Sequence, residues 1–142
     1  MARGLLELAE HAQGTGVVVC VENMPPGVHP GSHMADLAAL LAELNRPTLA
    51  LALDTGHANL TTGAVRETHA AGRLLATTHV HDNDKDRDSH LWPGKGSIDW
   101  KEAMELLRSA PHTPPLLLEV EEDEKINPAE RMDEMFKKLD QA

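Results

Sequence analysis

Four apolar runs recur along the chain, at residues 16–22, 48–54, 75–81 and 114–120, with little polar alternation inside them. Runs of this length and kind read as strands buried on both faces, as in parallel sheets. Helical spacing fills the intervals. Leu5, Leu8, Ala9 and Ala12 fall at i, i+3, i+4 and i+7 within residues 3–12, and Leu37, Leu40, Leu41 and Leu44 stripe residues 33–45, with Ser32 placed as N-cap. Residues 63–74 make a weaker helix. Asp99 opens another, with Glu102 at the capping-box position and Ala103, Leu106, Leu107 and Ala110 inward. A last helix starts at Asn127 with Pro128 in its first position, and Met132, Met135, Phe136 and Leu139 face the core. The order αβαβαβαβα predicts one α/β domain over residues 1–142, built on a parallel sheet with right-handed crossovers.

Composition narrows the function. A net charge of −10 disfavours a phosphate backbone as partner, so nucleic acid is not expected. The 2% aromatic content leaves few surfaces on which bases would stack. No apolar run approaches the roughly 20 residues of a membrane span, and the N-terminal stretch is too acidic for a signal peptide. Cys20 is the one cysteine, which excludes an internal disulfide and fits a reducing, cytoplasmic location. Neither a dinucleotide-binding glycine fingerprint nor a phosphate-loop motif occurs.

The candidate chemistry lies where the strands end. Glu22, Asp54, His81 and Glu119 each close a different predicted strand. The C-terminal ends of parallel strands converge on one volume, where α/β folds place their sites. Carboxylates with an imidazole make a ligand shell for Mn, Mg, Co or Zn. The densest stretch follows the third strand, with His79, His81, Asp82, Asp84, Asp86, Asp88 and His90 ahead of a Pro-Gly loop. His57, three residues after Asp54, is in reach of substrate or metal. Arg87 either pairs with a neighbouring acid or holds an anionic substrate oxygen. Asp88 and His90 add two potential ligands on one side of an extended segment.

The pieces VCVEN around Glu22, LDTGHANL around Asp54 and His57, HVHDND with DSHLWPGKGSIDW, and LLLEVEE around Glu119 together resemble the xylose-isomerase-like TIM barrel superfamily. That superfamily includes sugar-phosphate isomerases, sugar epimerases and apurinic endonucleases. The resemblance implies that the chain corresponds to strands five to eight of a (β/α)8 barrel, whose complete form has about 250 residues. It implies one divalent metal on Glu22, Asp54, His81 and Glu119, with His79 as the alternative ligand. Glu22 and Glu119 would move the proton, and His57 and Arg87 would hold substrate oxygens. The implied activity is isomerisation or epimerisation of a sugar or sugar phosphate through an enediolate. Asp88 and His90 match an Asp-x-His pair that the endonuclease branch uses for further zinc ions, so zinc-dependent phosphodiester hydrolysis is the alternative. A non-catalytic half-barrel module is the third reading. Four open strands leave two unpaired edges, so the expectation is a homodimer that completes the barrel.

Overall fold

The structure, a computed structural model, describes residues 1–121 and 128–142. It is an α/β half-barrel, with four parallel strands in the order β1-β2-β3-β4. These are β1 Val19–Glu22, β2 Leu49–Asp54, β3 Leu75–Val80 and β4 Leu116–Leu118. The helices are α1 Ala2–Ala12, α2 Met34–Leu44, α3 Thr55–Asn59, α4 Ala64–Ala71, α5 Trp100–Ser109 and α6 Pro128–Gln141, with a 3-10 turn at Gly72–Leu74. No helix among the described residues is long and apolar enough to cross a membrane.

β2 is buried along its whole length, as its apolar run predicts, whereas in β3 Leu75, Thr78 and Val80 are buried and Ala76, Thr77 and His79 are partly exposed. The edge strands are shorter than their runs. Val17 and Val18 precede β1 and stay exposed, and Leu117 on β4 is 56% exposed. An edge strand has a neighbour on one side only, so apolar character there does not ensure burial. The core gathers Leu37 and Leu41 of α2, Leu51 and Leu53 of β2, Val80, and Trp100, Ala103 and Leu107 of α5. Leu8 and Met132, both placed inward by helical spacing, are exposed, whereas Leu5, Ala9, Met135 and Leu139 are buried as expected. The Asn127 cap lies outside the described residues.

Two local devices differ from the expected pattern. Ser32 does not cap α2. Its hydroxyl donates to the carbonyls of Val28 and Pro25, and His33 is the N-cap, though its own side chain makes no capping bond. Glu67, arriving from α4, caps the helix instead and accepts from the Met34 N–H at 2.7 Å. Glu67 is 2% exposed and also accepts from Thr62, with His33 Nδ1 at 3.1 Å. Burial alone would raise its pKa, but the bonds from Thr62, His33 and Met34 outweigh that and hold it below its ordinary value. The stabilisation is therefore complete above the unfolded-state pKa and is lost as pH falls through the folded one. Glu67→Gln is expected to cost about 2 kcal/mol at neutral pH and to flatten the acid limb of stability. Urea unfolding followed down the pH scale measures both.

Candidate metal centre at the strand tips

Parallel pairing brings the chemistry together. Glu22 is level with Ala52, Asp54 with His79, and His79 with Leu117. Beyond the last rungs, side chains continue the ladder. Asn23 accepts from the Asp54 N–H at 2.8 Å and donates to the Asp54 carbonyl at 3.0 Å. Thr55 does the same for His81, accepting from its N–H at 3.0 Å and donating to its carbonyl at 2.7 Å. The strand tips are thus fixed one residue past the sheet.

Asp54 ends β2 and caps α3, accepting from the His57 N–H at 2.7 Å. The short helix α3 was not anticipated, and it is what turns His57 back over the strand end. Asp54 is fully buried, with Oδ1 at 2.9 Å from His81 Nε2. Burial by itself raises the Asp54 pKa; the bond and charge of His81, together with the His57 N–H, reverse it and hold the carboxyl below its ordinary value.

Three of the four expected strand-tip residues meet in one group with His79. Glu22, Asp54, His79 and Glu119 offer ligand atoms that all lie within 4.8 Å of one another. His79, the alternative ligand, is the imidazole of this group, while His81 reaches Asp54 from a neighbouring one, with Nε2 at 2.9 Å from Oδ1. The register explains this, because His79 stands level with Asp54 inside β3, whereas His81 lies beyond the strand end. His79 Nδ1 is 2.9 Å from Glu22 Oε1 and 3.1 Å from Glu119 Oε2.

His81 instead joins two neighbouring groups, Asp54-His57-His81 and His81-Asp88-His90. Its ring is fully buried, stacks on His90 at 4.0 Å and meets the edge of His57 at 5.9 Å. Its Nδ1 has no hydrogen-bond partner among the described residues. A Cβ on Gly56 would overlap this ring. Gly56→Ala is therefore expected to push His81 off Asp54 and to cost about 2 kcal/mol, read from the shift in urea midpoint.

Asp88 closes the set. Its Oδ2 is 3.0 Å from His57 Nε2 and 3.3 Å from His90 Nε2. His90 Nδ1 lies 2.8 Å from the Glu119 carbonyl. Burial lowers the His90 pKa, but that contact and the charges of Asp88, Glu119 and Asp54 outweigh it, for a net upward shift. Arg87, Asp84 and Asp86 are exposed, and Arg87 makes no ion pair among the described residues. Cys20, half-buried on β1, is a free thiol whose pKa burial raises, which suits packing more than reactivity.

The family model for xylose isomerase-like TIM barrels matches residues 1–142. The chain belongs to the xylose isomerase-like TIM barrel family. An uncharacterized member-like relative, MJ1311 of Methanocaldococcus jannaschii, is 30% identical over 112 residues, 73% of this chain and 37% of that protein. Among solved structures, a D-tagatose 3-epimerase-like protein superposes with a TM-score of 0.82 at 24% identity, covering 99% of this chain and 54% of that one. The E. coli 3-keto-D-glucoside 4-epimerase YcjR gives 0.81 at 22%, covering 99% and 52%. IolI, solved with a zinc atom, gives 0.77 at 21%, covering 97% and 52%. At these identities the likeness carries the fold. The chain spans about half the length of these TIM barrel structures, and 37% of the archaeal relative.

Residues that hold the centre in this family half-barrel, Asn23, Thr55 and Asp82, were not singled out by strand-end reasoning. A signal for the first two was present: each is a small polar residue directly after a strand-end acid, Glu22 or Asp54. Asp82 looked like one more member of an acidic loop.

Proposed function

We propose that this chain carries the proton-transfer and metal-binding half of a divalent-metal-dependent sugar or sugar-phosphate epimerase or isomerase. The observation that carries the reading is the meeting of Glu22, Asp54, His79 and Glu119 within 4.8 Å. Three carboxylates and one imidazole suit Mn, Mg, Co or Zn. Held there, such a cation supplies Lewis-acid polarisation of a carbonyl oxygen. The chain's own work is proton traffic. Glu22 ends edge strand β1, Glu119 directly follows edge strand β4, and both approach one His79 nitrogen, so a substrate carbon near that point has a carboxylate on either side. One glutamate removes the proton next to the carbonyl and the other returns it, through an enediolate. His57, tied by Asp88, and the exposed Arg87 hold substrate oxygens. The names of several matched structures, among them an L-ribulose 3-epimerase and a D-psicose 3-epimerase, support the sugar class.

One observation favours the endonuclease-like alternative: Asp88 between His57 and His90 offers a second cluster of donors. Metal analysis of the purified chain, a ketose and aldose panel, and a nicking assay on abasic DNA separate the readings. About one ion per chain with sugar turnover is the expected result. Two or three ions with nicking would replace it with hydrolysis, and no ion and no turnover would leave a non-catalytic module. The exposed Val17, Val18 and Leu117 at the two sheet edges support a second copy that completes the barrel, β4 of each beside β1 of the other. Sedimentation equilibrium at micromolar concentration should give a dimer, and a clean monomer would remove that partner.

A further inference from the structure

We propose that Asp82 is a positioning residue that sets the loop carrying Arg87, Asp88 and His90 over the strand tips. The chain leaves β3 at Val80 and does not re-enter regular structure until Trp100. Segments of that length are uncommon in compact folds unless functional, and ordering one opposes a large conformational entropy. Asp82 supplies the order. It is fully buried. Its Oδ1 accepts from the N–H groups of Asn83 at 2.9 Å and Ile98 at 3.2 Å. Its Oδ2 accepts from the Gly94 N–H at 3.0 Å and the Trp100 indole at 2.8 Å. Donors to a carboxylate make stronger bonds than neutral pairs.

The backbone of Asp82 meanwhile pairs with Leu91 in both directions, at 2.8 and 2.9 Å. One residue therefore closes two lobes, the first through its backbone and the second through its side chain. Next to it, Asn83 Nδ2 donates to the Gly56 carbonyl at 2.9 Å, and the Asn83 carbonyl and Oδ1 accept from Asn59 Nδ2 at 3.1 and 3.0 Å. That welds the loop root to α3, the helix that carries His57. Gly96 lies so close to Asp82 and Asn83 that a Cβ there would overlap both. Among the described residues Asp82 makes no hydrogen bond to Asp88 or His90, and it acts on them through this frame. The consequence is the pair of contacts from Asp88 to His57 and His90.

The inference deepens the proposed function, since it says what holds that site's outer residues. The test compares Asp82→Asn, Asp82→Ala and the milder Trp100→Phe with wild type, using Asp88→Asn as the reference for a broken contact. The imidazole 15N resonances of His57 and His90 should move in Asp82→Asn to their Asp88→Asn positions, while those of His79 stay. Titration with Co2+ alone should show the strand-tip affinity changing by less than the about tenfold loss common for an outer-shell substitution. Wild-type resonances for His57 and His90 in Asp82→Asn would overturn the proposal. So would a parallel shift of all three rings with an equal loss of Co2+ affinity, which marks a general fold support. If the Asp82 variants do not fold, Trp100→Phe decides on the same two readouts. Failure of Co2+ to bind even wild type would count against the proposed function, and the ring resonances would still decide the role of Asp82.

Discussion

Glu119→Gln should lower turnover by about three orders of magnitude, within the range of general acid–base contributions, while leaving cation binding measurable. Glutamine keeps the shape and one acceptor oxygen but cannot take a proton. Glu119 lies at the open edge of the sheet, with a half-exposed side chain 3.1 Å from His79 Nδ1. Its loss as a ligand therefore leaves Glu22, Asp54 and His79 in place. The check is steady-state epimerisation of the ketose found active in the panel, beside Co2+ titration of the same variant. Retained turnover would remove the proton-transfer role from Glu119. Unchanged turnover in Glu22→Gln as well would remove the two-glutamate scheme.

Asp54→Asn should be the more damaging change for the cation, with affinity falling by at least about 100-fold. Asp54 is fully buried and contributes to two of the three donor groups. An amide there has no charge to offer and turns an N–H pair toward either the His57 N–H or the His81 ring, both of which now contact an acceptor. Acid should have a related effect on the metal-free protein. Because the Asp54 pKa is depressed in the fold, its stabilisation is present above the unfolded-state pKa and disappears as pH falls through the folded value. Calorimetric titration at neutral pH checks the affinity, and unfolding of Asp54→Asn with falling pH checks the second effect. An unchanged Co2+ isotherm would exclude Asp54 as a ligand.

Much of this is legible in the sequence. Apolar runs located β2 and β3 to within a residue or so, and the strand-end acids pointed to the face that carries the site. Family motifs added the register of the half-barrel. Other features were hidden for physical reasons. Helical spacing says which residues share a face, but not whether that face is covered, so Leu8 and Met132 were misplaced. Which of His79 and His81 stands level with Asp54 depends on pairing register, since both point the same way from an ideal strand. The cap on α2 comes from Glu67, more than 30 residues away, and no local rule finds a cap of that kind. Asp82 was hidden among neighbouring acids, because exposure separates it from Asp84 and Asp86 and composition does not.

The carboxylate knot at Asp82 also bears on how turnover is timed. A segment tied to its own root and to α3 makes a poor hinge, and swinging lids are drawn from less stable parts of a fold. Under the proposed function, entry of a sugar and escape of its epimer must then be gated by some other wall of the cavity, or not gated at all. In the ungated case the chemical step sets the rate, and added viscogen leaves kcat where it was.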